Sequence, residues 1–168
     1  MRPVVAAALV TLTLLAPAAA APTPPLTPDI PAKFTPPSQQ AEFDKRDVMI
    51  PMRDGVKLHA VILVPKGARH APILLTRTPY NASRRAERNV STSLAATLPI
   101  SDDVFAADGG YIRVFEDVRG KYGSEGDYVM TRPLRVPLNN SYVDHSTDAY
   151  DTIDWIVKNV KETNGKLG

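Results

Sequence analysis

Past its first quarter, the chain groups its apolar residues into short runs that are separated by turn-forming residues. Two runs rich in Val and Ile, Asp47–Met52 and Lys57–Val64, flank the tripeptide Arg53-Asp54-Gly55. Such runs on either side of a turn signal predict an antiparallel β-hairpin. Further along, Pro72–Thr76 contains the continuous apolar run Ile73-Leu74-Leu75. A run of this kind is typical of a strand that is buried on both faces.

The next predicted elements are a helix and a strand. Ser101 has a side-chain oxygen that can cap a helix, and Asp102 and Asp103 suit the positive end of the helix dipole. Gly109 or Gly110 can end that helix in a left-handed conformation. Tyr111–Phe115 then predicts another strand.

Thr147–Val160 has the strongest helical pattern of the chain. Its apolar residues recur at helical spacing and predict one buried face; they are Ala149, Ile153, Ile156, Val157 and Val160. Asn164-Gly165 predicts a turn that follows this helix, and Lys166 begins the next predicted strand.

Strands and helices alternate after the leading hairpin, and this order predicts the fold class. It favours an α/β fold with a mostly parallel sheet and helices on both faces. The folded domain is predicted to span residues 43–168.

The first 42 residues predict export rather than a folded element. A positive start, the apolar run Val4–Leu15 and the small residues Ala18–Ala21 indicate a signal peptide over residues 1–21. The alternative is a membrane anchor, but the run is short of the roughly 20 apolar residues that span a bilayer. We therefore expect a periplasmic or secreted protein that has no contact with the membrane after signal cleavage.

Residues 22–42 form a Pro-rich segment. Nine of the 16 prolines lie before residue 40, and the first glycine is Gly55. This composition predicts an extended chain rather than a helix. The segment is either a linker or an arm that packs on a neighbouring subunit, and composition alone favours the linker.

Charge and cysteine content narrow the possible functions. The chain has no cysteine, so it forms no disulfide even in an oxidising compartment. The net charge is +2, which predicts no nucleic-acid partner because such binding needs a concentrated basic face. The one basic run is Arg84, Arg85 and Arg88, and a solvated loop explains it better than a phosphate site.

No short motif of the chain has the spacing of a self-sufficient site. Gly120, Gly123 and Gly126 have neither the dinucleotide-binding nor the P-loop spacing, so they predict a tight loop after a strand. His59, His70 and His145 lack metal-ligand spacing, and a catalytic dyad of one of them with a serine has no support in the spacing. A set of four aspartates predicts helix surface charge rather than a calcium site, because the EF-hand pattern is missing; these are Asp144, Asp148, Asp151 and Asp154. No cofactor or metal is predicted.

Tyr80 is the candidate catalytic residue. It follows Pro79 at the carboxyl end of the predicted buried strand, and ligands of open α/β sheets bind beyond the carboxyl ends of strands. A phenolic O–H can stabilise the oxyanion of an acyl-transfer transition state. The alternative is a tyrosine that covers the edge of the sheet, and the position alone favours this second role.

Four stretches, read together, carry a family resemblance. They are Arg46–Leu58, Leu74–Tyr80 with the motif Arg77-Thr78-Pro79-Tyr80, Asp108–Met130, and Asp148–Val160 followed by Asn164-Gly165-Lys166. These stretches resemble the α-amino acid ester hydrolases, which belong with the cocaine esterase-type acylases and the X-Pro dipeptidyl-peptidases. The resemblance implies the N-terminal half of an α/β-hydrolase fold.

The resemblance also implies a serine hydrolase mechanism. The family places its nucleophilic serine in a G-x-S-Y-x-G turn directly after the strand that begins here at Lys166, and its aspartate and histidine come later. We therefore expect that none of the serines and histidines of this chain belongs to the triad, and that the 168 residues alone are inactive. Tyr80 matches the family tyrosine that donates its hydroxyl to the oxyanion, so the resemblance reverses the preference stated above.

The resemblance implies small-molecule substrates. Its members hydrolyse or transfer acyl groups of α-amino acid esters and amides, including β-lactam antibiotics, through an acyl-enzyme. Full-length members form homo-oligomers in which an N-terminal arm embraces a neighbour, which makes an arm at residues 22–42 as plausible as a linker. Two alternatives stay open: an X-Pro dipeptidyl-peptidase, and a secreted binding module without catalytic activity.

Overall fold

The computed structural model describes residues 41–89, 91–99, 102, 110–134 and 137–168. The strands are β1 Phe43–Pro51, β2 Lys57–Pro65, β3 Ala71–Thr78, β4 Ile112–Asp117 and β5 Thr163–Leu167. The described helices are α1 Ala82–Arg85, α2 Leu94–Thr97 and α3 His145–Asn159. The predicted signal peptide, nearly all of the Pro-rich segment and nearly all of the helix predicted after Ser101 lie outside the described residues. In the part of the chain that is described, no helix has the length and apolar character needed to cross a membrane.

The five strands form one mixed sheet in the order β1-β2-β4-β3-β5. β2 is antiparallel to both β1 and β4, whereas β3 is parallel to both β4 and β5. The predicted hairpin and the predicted α/β class are confirmed. Because β1, β3, β4 and β5 all run in the same direction, their carboxyl ends meet at one edge of the sheet.

Apolar side chains on the two faces of the sheet form two separate cores. Alternate residues of a strand point to opposite faces, and β2 shows this clearly: Ile62 belongs to one cluster and Val61 to the other. Ile156 of α3 joins the first cluster, and Ala82 of α1 and Leu94 of α2 join the second. Helices therefore cover both faces, as predicted from the sequence.

The basic run of Arg84, Arg85 and Arg88 is not the solvated loop that was predicted. Arg84 and Arg85 form the last turn of α1, and Arg88 donates hydrogen bonds to the carbonyl oxygens of Ala95 and Ala96 in α2. Two of the three arginines therefore belong to α1, and the third is hydrogen-bonded to the backbone of α2.

The buried face of α3 differs in part from the predicted face. Ile156 is buried, but Ile153 and Val157 are 39% and 40% exposed. The residues that face the sheet beside Ile156 are polar: Asp148 and Thr152 are buried because each has a polar partner on the sheet side. The helix is thus rotated toward a polar interface that the apolar pattern does not reveal.

β5 begins earlier than predicted. Asn164-Gly165 lies within the strand rather than in a turn before it. Thr163 pairs with Ala71 and Leu167 with Ile73, so β5 contains two more residues than the segment of β3 it faces. Gly165 has φ +77°, and the side chain of Asn164 accepts a hydrogen bond from the amide of Lys166. The turn-forming residues therefore make a bulge inside the strand.

Candidate active site

Tyr80 lies at the sheet edge where the carboxyl ends of four strands meet. It follows β3 by two residues, and its side chain is 71% exposed. Its amide donates to Oγ1 of Thr78 over 3.1 Å, which tightens the turn at the end of the strand. The next residue, Asn81, has φ +68° and caps α1 by accepting a hydrogen bond from the amide of Arg84. Tyr80 thus presents an accessible hydroxyl from a short and ordered connection.

Asp117 holds both ends of this connection. At one end, Asp117 pairs with Thr78 in the parallel register of β4 and β3. At the other end, its Oδ1 accepts a hydrogen bond of 2.7 Å from the amide of Ala82, the first residue of α1. The carboxylate is 1% exposed, so these contacts are made out of solvent.

A serine, a histidine and an aspartate meet beside this turn, but they do not form a catalytic triad. Nδ1 of His59 lies 2.9 Å from Oδ2 of Asp117, and its Nε2 lies 3.4 Å from Oδ1 of Asp47. Oγ of Ser124 accepts from the amide of His59 and donates to the carbonyl oxygen of Asp117. Both ring nitrogens face carboxylates and the hydroxyl is bound to backbone, so the imidazole does not activate the serine.

The loop after β4 depends on its three glycines. A Cβ at position 120 would lie 2.2 Å from the amide nitrogen of Tyr128, and Gly120 also has φ +71°. A Cβ at position 123 would lie 2.7 Å from Cγ of the His59 ring, and one at position 126 would lie 3.0 Å from Cγ of Arg119. The tight-loop interpretation of these glycines is therefore confirmed.

Arg119 fastens this loop to two other elements. It donates to both carboxylate oxygens of Asp148 in α3 and to both oxygens of Asp54 in the β1–β2 turn. Hydrogen bonds to Asp148 are the main cause that raises the pKa of Arg119 above its ordinary value. The prediction that Asp148 is a surface charge is wrong, because its partner comes from a loop 29 residues away.

Arg77 of the Arg77-Thr78-Pro79-Tyr80 motif points toward α3. Its Nε donates to Oε1 of Glu116 over 2.6 Å, and its Nη1 donates to the carbonyl oxygen of His145 over 2.8 Å. Thr152 donates its hydroxyl to the other oxygen of Glu116. Burial raises the pKa of Glu116 even though Arg77 opposes this effect. This buried group joins β3, β4 and α3 and thereby fixes the strand that carries Tyr80.

Of the remaining candidate residues, His145 and three of the aspartates have structural partners. His145 is the first residue of α3, and its Nε2 lies 3.0 Å from the carbonyl oxygen of Val129. His70 is exposed in a turn with φ +51°. Asp144 is buried and caps α3, so the surface-charge prediction is wrong for this residue too. Asp151 and Asp154 pair with Arg53 and Lys158. Within the described residues, no three or more His, Cys, Asp or Glu side chains are grouped to hold a metal ion.

Comparison with known proteins identifies the family. The model of the X-Pro dipeptidyl-peptidase (S15) family matches residues 54–168. The chain belongs to this family. The S15 match includes Tyr80, Asp117 and the glycine loop, whereas β1 lies before it.

Three similar proteins show how the chain compares with longer proteins. The cocaine esterase of Rhodococcus sp. (strain MB1 Bresler) is 33% identical over 112 residues, which cover 67% of this chain and 16% of the esterase. A solved α-amino acid ester hydrolase is 67% identical, with a TM-score of 0.75, over 87% of this chain and 24% of that one. A solved aminopeptidase from the marine sediment archaeon Thaumarchaeota archaeon is 56% identical, with a TM-score of 0.74, over 83% of this chain and 23% of that one. The chain thus spans about a quarter or less of each relative, and the expected resemblance to α-amino acid ester hydrolases is confirmed.

Proposed function

We propose that the complete protein is an exported serine acyl hydrolase that acts on α-amino acid esters and amides, and that Tyr80 donates a hydrogen bond to the oxyanion. The S15 family match and the 67% identity to an α-amino acid ester hydrolase support the reaction class and the substrate class. The observation that carries the role of Tyr80 is its exposed hydroxyl at the carboxyl end of β3.

The sheet topology supports a nucleophile next to Tyr80. β5 is parallel to β3 and hydrogen-bonded to it, and the amide of Leu75 donates to the carbonyl oxygen of Gly168. A turn after β5 would therefore emerge at the edge where Tyr80 lies. In open α/β sheets this edge is where ligands bind. We place the family serine in that turn, after Gly168.

The proposed reaction has two acyl transfers. The serine oxygen attacks the carbonyl carbon of the substrate, and the electron pair of the C=O double bond moves to oxygen. Tyr80 donates its O–H to this oxyanion, which stabilises charge that develops only in the transition state. The intermediate collapses with loss of the alcohol or amine, which takes up the proton of the serine by way of the family histidine. Water then hydrolyses the acyl-enzyme by the same steps.

The contacts of Ser124 and His59 agree with a nucleophile elsewhere in the protein. Both residues contact Asp117, and their polar atoms are occupied by hydrogen bonds to backbone and to carboxylates. These contacts suit a rigid support for the site rather than an attacking group.

Hydrolysis of phenylglycine methyl ester tests the proposal. We expect the complete gene product to release methanol and to form a covalent adduct with a serine-directed fluorophosphonate, at a serine just after Gly168. The 168-residue chain should do neither. Ester cleavage by the short chain, or a complete protein that takes no label, would contradict the proposal.

A second candidate is removal of dipeptides that end in proline. It is favoured by the name of the matching family and by the 56% identity to a solved aminopeptidase. Turnover of glycyl-prolyl-p-nitroanilide, compared with turnover of phenylglycine methyl ester by the same preparation, separates the two. A value of kcat/KM that is higher for the peptide would select the peptidase.

A further inference from the structure

We infer that Asp117 is the positioning residue for Tyr80, and that the His59–Asp117 contact holds the Tyr80 hydroxyl in place for catalysis. The inference rests on the proposed function, since it assigns the support of the same oxyanion donor. The described structure joins Asp117 to the Tyr80 turn at two points, one through the backbone and one through the carboxylate.

The two attachment points lie on either side of Tyr80. Thr78 is in register with Asp117 across the parallel strands, and the amide of Val118 donates to the carbonyl oxygen of Thr78 over 3.1 Å. Ala82, two residues after Tyr80, donates its amide to Oδ1 of Asp117. The three residues between these points include Asn81 at φ +68°. A non-glycine residue with a positive φ is strained, and this conformation persists only where its surroundings enforce it. The hydrogen bond to Ala82 supplies such a constraint directly after Asn81.

The other oxygen of Asp117 is fixed as well. Oδ2 faces Nδ1 of His59 at 2.9 Å and accepts a hydrogen bond of 3.3 Å from the amide of Gly123. Three donors therefore surround a carboxylate that is 1% exposed. A buried carboxylate with donors on both oxygens has one orientation, so the acceptor offered to Ala82 is fixed in direction.

His59 lies on β2, the antiparallel neighbour of β4, and supports Asp117 from that strand. Its ring lies against Gly123, where a Cβ would come within 2.7 Å, and its backbone amide donates to Ser124. The imidazole is thus held by the glycine loop on one side and by Asp117 on the other. The requirement for glycine at position 123 follows from the space that this ring occupies.

Kinetics of the complete gene product with phenylglycine methyl ester test the inference. In Asp117→Asn, one carboxylate oxygen becomes an NH2 group, so the amides of Ala82 and Gly123 can no longer both keep their acceptors. We expect kcat to fall about 10- to 100-fold, since a small displacement of a catalytic group costs this much. We expect KM to change by less than about twofold, because the lost interaction is made in the transition state.

The double variant Tyr80→Phe/Asp117→Asn separates positioning from general damage. If Asp117 acts through Tyr80, adding Asp117→Asn to Tyr80→Phe should lower kcat no further. Asp154→Asn serves as the control, since Asp154 pairs with Lys158 on the exposed face of α3; its kcat should remain near that of the wild type. Additive losses in the double variant would overturn the inference while leaving the proposed function intact. An inactive wild type would overturn both.

A pair of His59 variants keeps the test decisive if Asp117→Asn does not fold. Asparagine places an amide near the position of Nδ1 and can still donate to Asp117, whereas glutamine places its amide near Nε2. We expect His59→Asn to retain more of the wild-type kcat than His59→Gln. Equal kcat values for the two variants, or the reverse order, would contradict the inference.

Discussion

Nη2 of Arg119 lies 2.6 Å from Oδ1 of Asp148, and both side chains are almost fully buried. This pair joins the loop after β4 to α3, and Asp54 extends it to the β1–β2 turn. All three elements border the sheet edge that carries Tyr80. The buried charge pair therefore joins three elements around the candidate site, although neither Arg119 nor Asp148 belongs to the Tyr80 turn.

Removal of Asp148 should be strongly destabilising. Asp148→Ala leaves part of the buried charge of Arg119 without a partner, and loss of one member of such a pair costs about 3–5 kcal/mol. The remaining contact with Asp54 places our expectation at about 3 kcal/mol, the lower end of that range. Urea denaturation of the purified protein measures the change in the free energy of unfolding.

The control for this prediction is Asp154→Ala. Asp154 pairs with Lys158 four residues away on the exposed face of α3. Such exposed helical pairs contribute little to the free energy of unfolding because solvent screens them, so Asp154→Ala should change it only slightly. If Asp148→Ala and Asp154→Ala lower the free energy of unfolding equally, the burial of the Arg119–Asp148 pair does not add to its contribution to stability.

Gly120→Ala should cost more than backbone strain alone. Gly120 and Gly67 both have positive φ, +71° and +79°, but only Gly120 would place a Cβ against a neighbouring backbone. Gly67→Ala should cost about 1–2 kcal/mol for the left-handed conformation. Gly120→Ala should lose a further 1–3 kcal/mol or so because the overpacked loop must move. The difference between the two variants in denaturant unfolding isolates the steric part, and a difference of zero would refute it.

Tyr80→Phe should reduce turnover without loss of the fold. Removal of one oxyanion donor costs roughly a hundredfold or more in kcat, whereas the aromatic ring is retained and was largely exposed to begin with. The matched control is Tyr111→Phe, because Tyr111 precedes β4 at the opposite edge of the sheet. Steady-state hydrolysis of phenylglycine methyl ester gives both values. Wild-type kcat in Tyr80→Phe would remove Tyr80 from the proposed mechanism.

Acid should lower the free energy of unfolding by protonating two carboxylates that form ion pairs, Asp151 and Glu162. Hydrogen bonds from Arg53 lower the pKa of Asp151, and hydrogen bonds from Arg46 lower the pKa of Glu162. Since the folded values lie below the unfolded ones, the stabilisation is complete above the unfolded values of about 4 and is lost as the pH falls through the folded values.

The variant that tests this pH dependence is Asp151→Asn/Glu162→Gln. Unfolding midpoints measured between pH 6 and pH 2 should fall less steeply with acid for this variant than for the wild type. If the midpoints of the two proteins fall equally steeply with acid, neither ion pair contributes to the loss of stability at low pH.

Local patterns predicted the elements of this fold well wherever one face of an element is apolar. The hairpin turn at Arg53-Asp54-Gly55 and the apolar run of β3 needed no information from distant residues. The same rules failed for α3, because Asp148 and Thr152 face the sheet only on account of Arg119 and Glu116. Partners that are 29 and 36 residues away leave no trace in the periodicity of a helix.

The candidate site shows the same division. Tyr80 could be selected from its place after a buried strand, and the family resemblance gave it a role. Asp117 and His59 were not recognised as its support, since their pairing joins β4 to β2 over 58 residues. A buried aspartate at a strand end has no local signature that separates it from a turn residue.

The bulge in β5 constrains how homologous sequences can differ in length at this point. Its two additional residues leave the alternation of side chains intact, so Leu167 still packs against the core that also contains Ile73. Deletion of one residue at Asn164-Gly165 would move the side chains of the following strand residues to the opposite face of the sheet. Deletion of both residues would leave them on the same face. Length variation at this position should therefore occur in steps of two.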